Sequence, residues 1–183
     1  PFNLLTYRAV EIGIMGDAIL LALALAERFN ITRKEKLIAE KMADIDALTN
    51  LNNRRSFYKF VKPIWALSLR NHSHASVIMV DVDDFKLFND KHGHALGDQI
   101  LIRLAETLRK EARSGDILTR WGGEEFLIFL PETKLADAVT FAERVRKRIS
   151  MIELAPINHE KFTFTASFGV AHNQNIMSLD ELI

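Results

Sequence analysis

The sequence predicts an α+β domain with a central, mostly antiparallel sheet and flanking helices, preceded by a long N-terminal helix. Three observations lead to this fold class. Two short β-favouring runs flank Gly122-Gly123, which is typical of a β-hairpin because a tight turn uses backbone angles that glycine adopts at low cost. Amphipathic helical segments alternate with apolar runs rich in β-branched residues. The most apolar stretch, residues 10–26, shows no strand-like alternation and precedes all of these segments.

The composition limits the classes of function. The chain has 183 residues, of which 48% are hydrophobic and 26% charged, enough for one domain with a sizeable core and an extra element. The formal net charge is zero, so no strongly basic surface for duplex nucleic acid is expected. Cysteine is absent, which excludes disulfides and thiolate metal sites and fits a reducing compartment. The sequence starts at Pro1 rather than Met and stops in mid-pattern at Ile183, so we expect a fragment of a longer protein.

Residues 1–45 are predicted to form a membrane-proximal signalling helix. Residues 10–26 are apolar except for Glu11 and Asp17, and residues 2–5 extend the run to about the 20 residues that a bilayer crossing needs. A group of basic residues follows, as expected if the C-terminal side faces the cytoplasm: Arg28, Arg33, Lys34, Lys36 and Lys41. The segment also resembles the last membrane helix of bacterial seven-helix sensory receptors. The alternative is a buried or dimer-forming helix, which would accept the two acids more readily. In the membrane interpretation, the rest of the chain is the cytoplasmic domain of an inner-membrane protein.

Residues 46–183 are predicted to form the globular domain, which the chain enters through a charged connector helix at 30–47. Ile31, Ile38 and Ile45 recur every seven residues, a spacing compatible with a short parallel coiled coil.

The expected order within the domain is helix, strand, helix, hairpin, helix, strand. These segments are, in order, 56–70, 76–82, 99–111, 114–130, 135–152 and 162–171. Because antiparallel hairpin pairing is combined with helical crossovers, the pattern indicates a sheet with helices packed on it.

Two acidic centres lie where the chain leaves a predicted strand. The hairpin tip carries Glu124 and Glu125 beside the two glycines, and the first strand ends in Asp81 and Asp83. Side chains alternate along a strand, so these two aspartates share one face while Val82 points into the core. Carboxylates grouped in this way are used by magnesium-dependent phosphoryl transfer. The alternatives are a solvated acidic turn and strand-end aspartates that only cap the next helix.

Three ordered motifs resemble those of the GGDEF-domain diguanylate cyclases. They are residues 46–55, residues 81–98 (Asp-Val-Asp-Asp-Phe-Lys, then Asn-Asp, Gly-His and Gly-Asp) and residues 120–126 (Arg-Trp-Gly-Gly-Glu-Glu-Phe). One departure is Asn50, where the family usually has glycine. The resemblance covers residue 46 to the end of the chain and implies a fold like that of nucleotide cyclases and polymerase palm domains. It also implies that the family's C-terminal helix, whose Lys and Arg hold the triphosphate, and its last strand are missing after Ile183.

The resemblance implies that the chain condenses two GTP molecules into cyclic di-GMP and releases two pyrophosphates. Each domain would hold one GTP, so a homodimer is expected in which each 3′-hydroxyl attacks the α-phosphate of the other GTP. Mg²⁺ would be bound by Asp81, the Val82 carbonyl and Glu124, with Mn²⁺ as the alternative cation. Glu124 would also help to deprotonate the 3′-hydroxyl, and Lys86 would offset charge on the phosphates.

The same resemblance implies residues for the substrate base and for the product. Asn89 and Asp98 would bind the guanine edge, since a carboxylate accepts from N1–H and the amino group in a way that adenine cannot match. The remaining substrate-binding positions are Phe85, Gly122 and Gly123. Product feedback would use Arg113 and Asp116, an Arg-x-x-Asp ahead of the hairpin tip, with Arg144 as a second contributor.

Two other functions are compatible with these motifs. A non-catalytic receptor would bind cyclic di-GMP through Arg113 and Asp116 and signal through the helix, but such members typically lose the hairpin acids or glycines, which are intact here. A cyclase acting on ATP or on mixed substrates is the second alternative, and Asn89 and Asp98 favour guanine over it. Without the motifs, Lys86 and Asp98 would be interpreted as surface charges, and Arg113 with Asp116 as a solvated ion pair.

Overall fold

The computed structural model describes residues 20, 21, 23–34, 44–157, 160–174 and 178–183. The chain divides into two compact units, Pro1–Ala43 and Asp44–Ile183. In the first unit, residues 20, 21 and 23–34 are helical and exposed. Most of the apolar stretch at 10–26 and most of the predicted coiled-coil seam lie outside the described residues. No helix in the part of the chain that the structure describes is long and apolar enough to cross a membrane.

The described part of the second unit contains five helices and seven strands. The helices are α1 (Arg54–Arg70), α2 (Phe85–His92), α3 (His94–Glu111), α4 (Leu135–Ile149) and α5 (Leu179–Leu182). The strands are β1 (Asn52–Asn53), β2 (Ala75–Val82), β3 (Ile117–Arg120), β4 (Glu125–Pro131), β5 (Leu154–Ile157), β6 (Glu160–Phe162) and β7 (Ala166–His172).

Five strands form the central sheet in the order β1-β3-β4-β2-β7, and β5 pairs with β6 in a separate two-stranded sheet. All of these pairings are antiparallel except that of β1 with β3. The predicted hairpin is formed by β3 and β4, with Arg120 opposite Phe126. The predicted fold class is confirmed, as a mixed and mostly antiparallel sheet flanked by helices.

Both faces of the sheet are covered, which explains why its central strands are continuously apolar. On one face, α3 and α4 form a core with alternate residues of the two central strands, among them Ile78, Val80, Phe126 and Ile128. On the other face, α1 and α5 form a second core with the intervening residues, among them Val77, Leu127 and Phe129. The polar residues that interrupt this pattern are therefore found at the strand ends.

Several element boundaries differ from the prediction. The helix α2 and the β5–β6 pair were not predicted. α2 is only eight residues long and fully buries none of its side chains, so it shows no helical period of apolar residues. The last strand begins at Ala166 rather than at 162, because residues 163–165 form a loop outside the central sheet.

The entry turn at residues 46–51 is fixed by its own polar side chains. Oδ1 of Asp46 accepts hydrogen bonds from the backbone N–H of Thr49 at 2.9 Å and from its hydroxyl at 2.7 Å. Asn50 has a left-handed backbone with φ 55°, a conformation that glycine adopts freely and asparagine tolerates. Asn50 therefore adopts, without a glycine, the left-handed conformation that this turn requires.

Candidate functional site

The end of β2 lies beside the acidic tip of the hairpin, as the sequence predicted. Asp81 is opposite Glu125 of β4 on one side and Ser167 of β7 on the other. Glu124 immediately precedes β4, and Val82, whose side chain is buried as predicted, ends β2. The structure thus places the three predicted metal-binding positions at one edge of the sheet, which we call the acidic edge.

Negative charge accumulates at the acidic edge. Partial burial, followed by repulsion from Glu124, Glu125 and Asp83, raises the pKa of the Asp81 carboxyl above its ordinary value. The ion pairs found among the described residues all involve acids elsewhere in the domain. Like charges opposite each other on neighbouring strands are destabilising. A cation bound here would remove this repulsion.

The oxygen atoms of the acidic edge fit Mg²⁺ held jointly with substrate phosphates. The described residues contain no group of three or more His, Cys, Asp or Glu side chains placed to hold a metal ion. Mg²⁺ does not need such a cage, because it keeps several waters and binds through one or two carboxylates plus phosphate oxygens. Two carboxylates and one backbone carbonyl satisfy this requirement.

The two glycines of the hairpin tip differ in the space around them. Neither Gly122 nor Gly123 has a positive φ, so the prediction that the turn requires glycine for its backbone angles is wrong. A Cβ on Gly122 would lie 2.5 Å from Oε2 of Glu125, whereas a Cβ on Gly123 would meet nothing within 4 Å. The space above Gly123 is compatible with the approach of a nucleotide, which stays a prediction.

Arg120 connects the entry turn to the hairpin tip, a role that the sequence analysis missed. Its Nη1 donates to both carboxylate oxygens of Asp46 at 3.1 Å, and its Nε and Nη2 donate to the Gly123 carbonyl at 3.2 and 2.8 Å. Burial alone would raise the pKa of Asp46, but hydrogen bonds from Thr49 and Arg120 outweigh it and lower that pKa. Because Gly123 precedes Glu124, the acidic edge is anchored to the first residues of the domain. Both motifs were visible in the sequence, but their contact was not.

Asp83 differs from Asp81 because its side chain links the end of β2 to the start of β7. Its carboxylate accepts hydrogen bonds from the hydroxyls of Thr165 and Ser167, each at 2.6 Å. Asp84, the next residue, has φ 54° and makes no side-chain cap on α2, so the helix-capping alternative is wrong for Asp84. Asp83 supports the turn, which leaves Asp81 as the strand-end acid available to a cation.

The two predicted guanine-binding residues lie on α2 and α3, which are joined by Gly93. Oδ1 of Asn89 is buried and has no hydrogen-bond partner among the described residues. A Cβ on Gly97 would lie 1.9 Å from this oxygen, so Gly97 creates the space that Asn89 occupies. Asp98 follows Gly97 and is exposed. The sequence motif contained Gly97, but its purpose is visible only in the structure.

Phe85 and Lys86 begin α2, directly after the turn at the acidic edge. Phe85 is half-buried and packs against the core that the sheet forms with α3 and α4. Lys86 is exposed and takes part in none of the ion pairs found among the described residues. Its ammonium group is therefore available to a phosphate.

The three predicted product-binding residues line one cavity of about 120 Å³. Arg113 and Asp116 approach it from the loop before β3, and Arg144 approaches it from α4. The backbone N–H of Arg113 donates to Oδ2 of Asp116 at 2.7 Å, whereas no ion pair joins their side chains. Burial raises the pKa of Asp116, although the hydrogen bond and the charge of Arg113 oppose this. The structure brings the three residues together, and their role in product binding stays a prediction.

Comparison with known proteins identifies the family. The sequence model described as "Diguanylate cyclase, GGDEF domain" matches residues 43–183. The chain belongs to the GGDEF-domain family. It is 39% identical over 176 residues to diguanylate cyclase DgcM of Escherichia coli K12, and the match covers 95% of this chain but only 41% of that relative. This GGDEF chain therefore spans less than half the length of DgcM.

Solved GGDEF structures share the fold. The coiled coil and GGDEF domain of DgcB from Caulobacter crescentus, in complex with c-di-GMP, matches with a TM-score of 0.81 at 25% identity, covering 92% of this chain and 87% of that one. The active GGEEF domain of a diguanylate cyclase from Vibrio cholerae matches with a TM-score of 0.60 at 32% identity, covering 66% and 75%.

Asp81→Asn is expected to stabilise the metal-free GGDEF domain at neutral pH, by up to about 1 kcal/mol, because it removes one of the opposed negative charges. The folded-state pKa of Asp81 is raised, so the wild type loses stability as pH rises from the ordinary carboxyl range through that pKa. The gain in the free energy of unfolding should vanish at pH values low enough to protonate the Asp81 carboxyl in both the folded and the unfolded state. Urea unfolding at pH 7 and pH 3 measures it, with exposed Asp90→Asn as the control. A loss of stability at pH 7 would contradict the electrostatic account.

Proposed function

We propose that this GGDEF domain is a diguanylate cyclase that condenses two GTP molecules into cyclic di-GMP and two pyrophosphates. The observation that carries the proposal is the acidic edge, where Asp81 and Glu124 lack a cationic partner among the described residues beside the open space at Gly123. Two relatives support it: DgcM is named a diguanylate cyclase, and the Vibrio cholerae domain, described as active, shares the GGEEF form of the tip.

The proposed chemistry is phosphoryl transfer at the acidic edge. Asp81, the Val82 carbonyl and Glu124 would hold Mg²⁺, or Mn²⁺ in its place, which when bound neutralises phosphate charge and lowers the pKa of the attacking hydroxyl. Glu124 accepts the 3′-hydroxyl proton, and Lys86 offsets charge on the triphosphate. The 3′-oxygen forms a bond to the α-phosphorus of the second GTP, and the bond from that phosphorus to pyrophosphate breaks.

Guanine would be recognised by Asn89 of α2 and Asp98 of α3. The buried Oδ1 of Asn89 lacks a donor among the described residues, and an unpaired buried acceptor is costly. The exposed carboxylate of Asp98 is also an acceptor. The guanine edge offers N1–H and an amino group as donors, whereas N1 of adenine is an acceptor. The chemistry of these two side chains therefore favours GTP over ATP as the substrate.

Catalysis would require a homodimer. One acidic edge with one pair of guanine-binding residues would hold a single GTP, but the reaction joins two. Two domains facing each other would present each 3′-hydroxyl to the opposite α-phosphate.

Nucleotide product analysis tests this function. The chain is incubated with Mg²⁺ and GTP, ATP or both, and its folding and oligomeric state are checked by circular dichroism and sedimentation. Cyclic di-GMP made from GTP alone is the expected product. The same incubation is repeated with the chain extended past Ile183 by the C-terminal helix and strand that the family resemblance implies. If this extended protein is a folded dimer and is silent with GTP, the enzymatic proposal is overturned, and mixed cyclic dinucleotides would overturn the guanine assignment.

Arg113→Ala is expected to relieve product inhibition, raising the concentration of cyclic di-GMP that halves the rate by about tenfold or more. The guanidinium can donate two hydrogen bonds to O6 and N7 of guanine, and such a bidentate contact contributes about 1–3 kcal/mol. Initial rates at increasing cyclic di-GMP measure the effect, with the rate in its absence as the internal control. An unchanged inhibition curve would show that Arg113 is only a surface residue.

A further inference from the structure

We propose that Glu111 is a positioning residue for product feedback, because it holds Arg144 at the rim of the cavity formed with Arg113 and Asp116. The inference rests on the proposed function and deepens it, since it concerns regulation by the cyclic dinucleotide product. Glu111 is the last residue of α3 and does not itself line the cavity.

The contact between Glu111 and Arg144 joins two helices. Oε2 of Glu111 accepts the Nε hydrogen of Arg144 at 2.7 Å, across 33 residues of sequence. The Glu111 side chain is only 11% exposed, whereas that of Arg144 is 46% exposed. The carboxylate is therefore the fixed partner, and the long arginine side chain takes its position from it.

The geometry leaves the outer edge of the Arg144 guanidinium available to a ligand. Nε is held by the carboxylate, and the guanidinium carbon lies 5.2 Å from the centre of the Phe141 ring, which also lines the cavity. Nη2 makes only a long contact of 3.5 Å with the Glu111 carbonyl. The two terminal nitrogens are the pair that can grip a phosphate or a base in a bidentate manner.

Arg148 prevents Glu111 from repelling an anionic ligand. Its Nε lies 2.7 Å from the other carboxylate oxygen of Glu111 and forms an ion pair with it. Two arginines one helical turn apart on α4 thus share one carboxylate, and the cluster keeps a net positive charge. A cavity of about 120 Å³ is smaller than the roughly 300–1,000 Å³ of pockets that enclose drug-sized ligands, so a cyclic dinucleotide would extend out of it.

The test compares Glu111→Gln with Glu143→Gln in the full chain. Glu143 is a matched control, because it likewise accepts from an arginine Nε at 2.7 Å, but its partner, Arg146, does not line the cavity. Binding of cyclic di-GMP is measured by calorimetry without GTP, and inhibition is measured during GTP turnover. Glu111→Gln should weaken binding and inhibition by about three- to tenfold, the range expected when a long side chain must be ordered on binding. Turnover without product should not change.

Arg144→Ala decides whether Glu111 acts through Arg144. In that background, Glu111→Gln should cause no further loss of cyclic di-GMP affinity, whereas a general structural role would still lower it. Glu111→Asp should restore part of the affinity. Equal binding by wild type and Glu111→Gln, or a full additional loss in the Arg144→Ala background, would overturn the inference. Because calorimetry needs no turnover, either result can be separated from a failure of the wild type to make cyclic di-GMP.

Discussion

Glu124→Gln is expected to lower the rate of cyclic di-GMP formation by about a thousandfold or more, equivalent to roughly 4 kcal/mol of transition-state stabilisation. The amide keeps the size of the side chain but removes the charge that binds the cation and the basic oxygen that accepts the proton. The fold should not suffer, since Glu124 lies in the turn before β4 and makes none of the side-chain hydrogen bonds or ion pairs found among the described residues. Rates are measured by product chromatography at saturating GTP and Mg²⁺.

Glu125→Gln is the matched control for this experiment. Glu125 is adjacent, carries the same charge, and lies opposite Asp81 in the sheet. It should have a much smaller effect on turnover. Equal losses from the two variants would indicate that overall negative charge, rather than Glu124 itself, supports the reaction.

Gly97→Ala is expected to reduce kcat/KM for GTP by about 10- to 100-fold, the loss of one well-placed polar contact in a buried site. The new methyl group would lie 1.9 Å from Oδ1 and 2.9 Å from Cγ of Asn89, so the Asn89 side chain must rotate away. The helix should tolerate alanine, which has a better helix propensity than glycine by about 1 kcal/mol. The loss of selectivity for GTP over ATP should be larger than any loss of thermal stability.

Gly169→Ala controls for the loss of a glycine, because a Cβ there would meet nothing within 4 Å. Asn89→Ala should reproduce the Gly97→Ala defect, and combining the two changes should add little. Competition between GTP and ATP measures selectivity, and thermal unfolding measures the fold. Undiminished selectivity in a folded Gly97→Ala protein would show that Asn89 does not contact the base.

The fold and the acidic edge could be predicted because their signals are local. The apolar run rich in β-branched residues in β2, the Gly-Gly turn and the acids at both strand ends each lie within a few residues of sequence. The main helices can be recognised from the periodic spacing of their apolar residues, whereas α2 is too short to show such a period. The sequence indicated which residues carry the proposed chemistry better than it indicated what holds them in place.

The supporting contacts could not be predicted because they join distant parts of the chain. Asp83 meets Thr165 and Ser167 across 82 and 84 residues, and Arg120 meets Asp46 across 74. Hydrophobic periodicity is assessed over short stretches of sequence, so it gives no information about contacts between such distant residues. The prediction that the turn needs Gly122 for its backbone angles was wrong for the same reason. A Cβ on Gly122 would crowd Glu125, and this crowding depends on side-chain packing at the tip rather than on turn geometry.

The link from Asp46 through Arg120 to Gly123 also has a thermodynamic consequence. Arg120 shares one guanidinium between the entry turn and the carbonyl next to Glu124. Any event that displaces Asp46 removes two of the hydrogen bonds that orient this guanidinium and thus weakens its hold on the tip. Linkage makes the effect reciprocal, so a ligand that tightens the tip must favour the ordered entry turn by the same free energy. A change in the order of the entry turn should therefore report whether a ligand occupies the acidic edge.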